Sequence, residues 1–234
     1  MADESKDPFV EMFEDPARAQ AYSAGPPAFT PGFSDVHKMV AILLEERLPP
    51  NGDVLVHGAG GGLELEALAQ RHTGWQFVGV DPAKAMLDEA ETRLGSLMQR
   101  ITLHPGYIDT APAGPFDGAT SLLTLHFLDI EDRIDTVRQI AARLKPGAPL
   151  VVVHQSFPQK PEERARWLDR YEAFARANGV PAEMAQGARQ GVGGMTTLLE
   201  PEQDIDVLRN AGLTRVSPFY RAFAWSGWVG YAPG

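Results

Sequence analysis

The 234-residue chain contains no cysteine. Disulfides, thiolate metal sites, iron–sulfur clusters and a cysteine nucleophile are therefore excluded. Basic residues are scarce as well: 21 Lys and Arg stand against 31 Asp and Glu, a formal charge of −10. Holding bare nucleic acid by its phosphates needs basic density, so this balance disfavours such a partner. No apolar run reaches the roughly 18–20 residues of a membrane span. The acidic start, MADESKDPFVEMFEDPARAQ, lacks the apolar stretch of a secretory signal. No membrane partner is expected, and a cytoplasmic location is the default. The remainder is ordinary for a globular protein, 44% hydrophobic and 22% charged. At ~150 residues per domain, the length suits one large domain with additions.

From Asp53 to His154 the pattern alternates. VLVH (Val54–His57) reads as a short strand, and Leu63–His72 has helical spacing at Leu65, Leu68 and Ala69. Trp75–Asp81 reads as a second strand, followed by a helix over Ala83–Leu94 with Met86, Leu87, Ala90 and Leu94 on one stripe. Ile101–His104 is a third strand, a fourth ends near Leu122 or Leu123, and a helix spans about Asp132–Leu144. LKPG (Leu144–Gly147) stops that helix, and Pro149–His154 is a fifth strand, apolar enough for burial on both faces. Five strands in alternation with helices predict an α/β sandwich with a mostly parallel sheet and right-handed crossovers.

The flanks differ. Residues 1–33 are rich in Pro, Gly and aromatics, including Phe9, Phe13, Tyr22, Phe29 and Phe33. Ser34–Leu48 is an amphipathic helix with Ser34 as its expected cap. Lys160–Gly179 is a helix closed by Asn-Gly, GARQGVGGMTT (Gly187–Thr197) is expected to be mobile, and Pro201–Ala211 is a further helix. Ser217–Ala232 reads as strand, turn or bulge, and strand.

GAGGG between a strand and a helix lets the backbone turn tightly and approach a ligand. The amides of the helix N-terminus then favour an anion. The dinucleotide pattern is only partly met, because Leu63 takes its last glycine position, and no phosphate-loop lysine follows. GxGxG at Gly58, Gly60 and Gly62 fits better. Asp81 ends the second strand, where a carboxylate can accept both hydroxyls of an adenosine ribose.

With these residues in view, the sequence resembles the class I S-adenosylmethionine-dependent methyltransferases over roughly Ser34–Ala232. Within that class it is similar to the carboxy-S-adenosylmethionine synthases of transfer-RNA wobble-uridine modification. The parallels are PGFSDV (Pro31–Val36), VDPAKAM (Val80–Met86), TLHFL (Thr124–Leu128), RANG (Arg176–Gly179), NAG (Asn210–Gly212) and FYRAFAWSGWVG (Phe219–Gly230). The resemblance implies a Rossmann-like sandwich with a seven-stranded, mostly parallel sheet and an antiparallel C-terminal strand. It implies an N-terminal helical cover over residues 1–48, a cofactor-binding core over 49–234 and a helical cap insertion at 157–203. The implied cofactor is S-adenosyl-L-methionine, held by Gly58, Ala59, Gly60, Gly62, Asp81, Pro82, Tyr107, Ile108, Leu123 and Thr124. Tyr22, Phe33, His126, His154 and Arg221 are the candidates for contact with a small-molecule methyl acceptor, and a homodimer is a further expectation.

Several positions depart from the class. Val56 stands where an acidic residue usually receives the cofactor's amino group, with Glu64 as a substitute carboxylate. Tyr107 replaces a common aspartate. Phe33 and Val207 occupy positions where the synthases carry an aromatic hydroxyl and an arginine. An arginine is the natural bidentate partner of a substrate carboxylate, so ordinary methyl transfer is favoured over carboxyl-carbon transfer. A relic that only binds the cofactor is the non-enzymatic alternative.

Four of the six histidines, His57, His104, His126 and His154, fall at or just after strand ends. Polar lining accounts for them more simply than a metal cluster, since the side chains need not converge, and no metal is expected. His126 is the best general-base candidate, needed only if the acceptor must lose a proton.

Overall fold

The computed structural model describes residues 8–22 and 25–234. Residues 1–7 of the acidic start and the side chain of Phe9 lie outside the described residues. Four helices come first: α1 (Pro8–Phe13), α2 (Pro16–Tyr22), α3 (Gly25–Phe29) and α4 (Phe33–Glu45). The alternation follows as β1 (Asp53–His57), α5 (Leu63–Arg71), β2 (Gln76–Asp81), α6 (Lys84–Leu94), β3 (Ile101–Pro105), β4 (Gly118–Leu122), α7 (Ile130–Ala142) and β5 (Pro149–Gln155). Three helices, α8 (Pro161–Ala177), α9 (Ala182–Met195) and α10 (Pro201–Asn210), precede the closing hairpin of β6 (Thr214–Ala222) and β7 (Trp225–Tyr231).

The seven strands form one sheet in the order β3-β2-β1-β4-β5-β7-β6. The first five are parallel, and β7 runs antiparallel to both β5 and β6. Alternation along the strands feeds two cores. Val54, Val56, Val151 and Val153 face α4 and α5 with the inner side of α6, while Leu55, Ala119, Leu150 and Val152 face α7 and α10. Burial on both faces explains why the central strands read as continuous apolar runs. The strand order reverses between β1 and β4, and in such sheets ligands bind beyond the carboxyl ends at that point.

Two local expectations are corrected. The cap of α4 is Gly32 in a left-handed conformation, with no side-chain cap, so Ser34 lies inside the helix. The glycine-rich stretch expected to be mobile is the body of α9 for most of its length. Glycine lowers helix propensity by about 1 kcal/mol per residue, and packing against α8 supplies what the sequence of α9 lacks.

Behind the sheet's carboxyl edge sits a buried polar cluster. Arg133 of α7 donates to Asp204 of α10 at 2.7 Å, to the Leu128 carbonyl at 3.1 Å and to the Thr197 carbonyl at 2.6 Å. His154 Nε2 of β5 lies 3.0 Å from the same Asp204 oxygen. Both members of the ion pair are fully buried. Burial pushes the Asp204 carboxyl up, but the His154 ring and the Arg133 guanidinium outweigh it and leave the group below its ordinary range. Removing one partner leaves the other charge buried and uncompensated. Asp204→Ala should therefore cost about 3–5 kcal/mol of stability, read as the shift of a urea unfolding curve. A loss comparable with that of a surface substitution would show that Arg133 finds other compensation.

Candidate functional site

The turn after β1 is built on left-handed glycines. Gly58, Gly60 and Gly62 have φ of 73°, 48° and 81°, a region that side chains with Cβ rarely occupy. A Cβ on Gly58 would fall onto the Thr124 side chain, whereas one on Gly60 would find its nearest neighbour, Met86, at 3.5 Å. Space dictates glycine at 58, and backbone conformation dictates it at 60. The turn is tied to the end of β2. Gly58 and Ala59 donate to the Val80 carbonyl, and the Asp81 carboxylate accepts from Gly60 N–H and Ala83 N–H, each at 2.9 Å. Burial raises the Asp81 pKa, and these two amide bonds oppose the rise. Asp81 therefore organises the turn and still has lone pairs for a ligand.

Two cavities open around this turn, and a third adjoins them. The first, of about 120 Å³, is lined by Gly58, Gly60, Asp81, Pro82, Tyr107, Leu123 and Thr124 from the expected cofactor set. Val10 and Phe13 of α1 and Tyr22 of α2 close it from above. Ala59 lines the second cavity, of about 40 Å³, together with Phe33 and Glu64. Gly62 and Ile108 line none of the three. Gly62 is the cap of α5 and abuts Ala90, and Ile108 is buried behind the first cavity. The third cavity, of about 420 Å³, contains His126 and, with Tyr22 and Leu123, borders the first. Leu123 lies in the left-handed region (φ 58°) and lines all three cavities, a strained position where they meet.

Two of the acceptor candidates fall outside the cavities. His154 belongs to the buried Arg133–Asp204 cluster, and Arg221 is exposed on β6, opposite Ser226 of β7. The four strand-end histidines do not converge: His57 pairs with Ser121 at 2.9 Å, His104 with Thr110 at 3.0 Å, and His154 with Asp204. Among the described residues, no group of three or more His, Asp or Glu side chains is arranged to hold a metal ion. His126 is buried, its Nδ1 lacks a partner, and burial with the nearby His154 and Arg133 holds its pKa well below the ordinary value. It is a neutral imidazole suited to accepting or donating a hydrogen bond and too weak to serve as a strong base.

The sequence pattern missed Thr30, Gln155 and Tyr171, all of which line the third cavity. Thr30 and Tyr171 carry no motif at all. Gln155 follows immediately after the expected end of β5, which was a usable signal.

Val56 is buried within β1 and reaches none of the cavities. Glu64, in the first turn of α5, lines the second cavity, is 6% exposed, and has an unpartnered Oε1. Burial pushes its pKa up to about 8, with Thr120 pulling modestly the other way. Among the described residues no cation pairs with this carboxyl, and burial alone accounts for its raised pKa. The glycine cradle at Gly58 and this orphaned oxygen both fit a nucleoside ligand carrying an amino-acid end.

Comparison with known proteins bears on the fold and on the family it resembles. Residues 55–150 match the methyltransferase domain family. This stretch is similar to that domain, and the fold is that of the class I methyltransferases. The methyl donor of that class, S-adenosyl-L-methionine, is the cofactor assigned to it. Over 208 residues the chain is 27% identical to a carboxy-S-adenosyl-L-methionine synthase of Chromohalobacter salexigens, covering 86% of this chain and 76% of the relative. Among solved structures it is similar to PigF with SAH, with a TM-score of 0.68 and 16% identity over 97% of this chain and 63% of that one. It is also similar to apo SibL, an S-adenosylmethionine-dependent methyltransferase, with a TM-score of 0.62 and 16% identity over 85% and 55%. The chain thus spans less than two thirds of either structure. Among the described residues no helix is long and apolar enough to cross a membrane.

The raised Glu64 pKa has a thermodynamic consequence. Between its ordinary value of 4.5 and its folded value of about 8, the folded chain keeps a proton that the unfolded chain releases. The neutral carboxyl therefore contributes fully below the unfolded pKa, and stability is lost as pH rises through the folded one. Glu64→Gln, which mimics the neutral form, should be near-neutral at about pH 4 and stabilising at about pH 8.5. Urea midpoints of both proteins across this range check it, and parallel pH profiles would place the Glu64 carboxyl in contact with water.

Proposed function

We propose that this methyltransferase passes a methyl group from S-adenosyl-L-methionine directly to a small-molecule acceptor. The supporting observation is that the cavity beside Asp81 and the cavity holding His126 meet at Tyr22, Leu123 and Phe127. When bound, the cofactor supplies an electrophilic methyl on a sulfonium: its S–C bond breaks as an acceptor lone pair forms the new bond, leaving the thioether. The chain contributes alignment and exclusion of water.

In this proposal Asp81 accepts the ribose hydroxyls while continuing to hold the Gly60 and Ala83 amides. Pro82 and Tyr107 flank the base, with Ile108 supporting them from behind. The Gly58–Gly62 turn, whose Gly58, Ala59, Gly60 and Gly62 amides are engaged within the protein, lets the amino-acid end approach the start of α5, and Glu64 takes the amino group in place of the missing acidic residue at 56. Leu123, Thr124 and Tyr22 mark the junction. Tyr22 stays protonated, since burial and the Asp81 charge push its pKa up to about 12. His126 orients the acceptor through a neutral hydrogen bond. Residues 1–48 act as a cover and 157–203 as a cap on the core at 49–234. A cytoplasmic location and a homodimer complete the proposal on the resemblance alone, and sedimentation of the purified chain checks the dimer.

Carboxyl-carbon transfer finds less support. Among the described residues no lysine or arginine lines any of the three cavities. Val207 is buried in α10 and faces none of them. Arg189 pairs with Asp169 at 2.7 Å, and Arg215 lies over the Tyr231 ring at 4.3 Å. A carboxylate brought into such a site loses hydration without a compensating cation.

Two measurements test these points. Calorimetry with S-adenosylhomocysteine and with methylthioadenosine, which lacks the amino-acid end, separates the two halves of the cofactor site. Glu64→Gln should weaken the first by about tenfold or more, the size of a charge-assisted hydrogen bond, and leave the second unchanged. Equal affinities in variant and parent would remove Glu64 from this role. Incubation with S-adenosylmethionine and prephenate, the anionic donor implied by the synthase resemblance, should give no carboxylated cofactor by mass spectrometry. Its appearance would overturn simple methyl transfer.

A further inference from the structure

The third cavity has a chemical character of its own. Its walls carry the rings of Phe29, Phe127, Tyr171 and Trp225, and among the described residues no Asp, Glu, Lys or Arg lines it. The titratable groups present are neutral at physiological pH: His126 because its pKa is far below 7, and Tyr22 and Tyr171 because burial pushes theirs up. At about 420 Å³ the space falls within the range of small-ligand pockets.

Within these apolar walls three polar atoms lack a hydrogen-bond partner: Thr30 Oγ1, His126 Nδ1 and Gln155 Oε1, although the Gln155 side chain is also hydrogen-bonded with Tyr171. Their side chains are 1%, 3% and 1% exposed. They come from the N-terminal segment, the turn after β4 and the end of β5, so no single local irregularity accounts for all three. A buried polar atom without a partner is unfavourable, and three around one cavity mark the places where a ligand's own polar groups complete the bonding. Trp225 is different, because its Nε1 already donates to the Phe29 carbonyl at 2.9 Å.

The room itself is set by glycine. Gly187 and Gly191, four residues apart on α9, both line the cavity, and a Cβ on either would meet nothing within 4 Å. No packing requirement forces glycine there, and each weakens the helix. Their effect is open volume beside the aromatic walls.

Resting on the methyl-transfer reading above, we propose that the acceptor is an uncharged, planar aromatic or heteroaromatic molecule with at least two hydrogen-bonding groups on its ring system. The ring lies among aromatic side chains, where stacked or edge-on contacts are favourable. Its polar groups meet Thr30, His126 and Gln155. Carboxylates and phosphates are rejected, because no cation compensates their lost hydration.

The test is binding, independent of turnover. Isothermal titration of the full chain with 2,7-dihydroxynaphthalene and with 6-hydroxy-2-naphthoate compares a neutral ligand with an anion on the same ring system. The neutral compound should bind about tenfold tighter or more, as expected when an anion gains no partner for its lost hydration. Gly191→Leu supplies the second arm. Leucine is the better helix former, so the fold should hold or gain stability while the side chain fills the cavity, lowering affinity for the diol by about tenfold or more. S-adenosylhomocysteine should bind the variant as it binds the parent. Naphthoate binding as tightly as the diol, undetectable diol binding to a parent that binds S-adenosylhomocysteine, or diol binding unaffected by Gly191→Leu would each overturn the proposal. A parent chain that binds no S-adenosylhomocysteine would instead overturn the cofactor reading on which it rests.

Discussion

The Arg133–Asp204 pair, with His154 against the same carboxylate oxygen, binds together parts of the chain that share no local sequence relationship. Its energetic worth is not that of a strong bond, since desolvating two charges consumes most of what their attraction returns. Its effect is positional. The guanidinium also holds the Leu128 and Thr197 carbonyls, and Thr197 N–H in turn donates to the His126 carbonyl at 2.9 Å. The turn after β4, the end of α9 and the start of α10 are fixed relative to one another through a single side chain. An apolar replacement could fill the same volume without specifying where those three segments sit.

The glycine turn depends on a second carboxylate in a comparable way. Asp81 does not merely face a cavity; it accepts the Gly60 and Ala83 amides and so aligns the turn with the start of α6. Glu64 is the opposite case. Its carboxyl has no cation within the described structure and is held largely neutral by burial. One acid is spent on architecture and keeps some capacity for a ligand, whereas the other is kept in reserve.

Much of the architecture was legible because its signals are local. Val54–Val56 and Leu150–Val153 are buried on both faces, and that produces apolar runs that a reader can recognise. The glycines at 58, 60 and 62 and the carboxylate at 81 sit at intervals that the turn itself demands. The less legible features depend on distant parts of the chain. α9 contains Gly187, Gly191, Gly193 and Gly194 and forms a helix through packing against α8, which no propensity scale contains. His154 ends β5 as expected, yet Asp204, 50 residues later, draws it into a structural cluster. Thr30 and Tyr171 reach the third cavity from segments whose sequences give no sign of a shared destination.

The N-terminal segment has one more implication. Val10, Phe13 and Tyr22 roof the first cavity, and Met12, Tyr22, Phe29 and Thr30 roof the third. The Glu14 carboxylate fastens this roof to the core by accepting from Lys84 N–H at 2.9 Å and Ala85 N–H at 3.4 Å, at the free N-terminus of α6. Two compartments therefore share one covering segment, and whatever displaces that segment from α6 uncovers both at once.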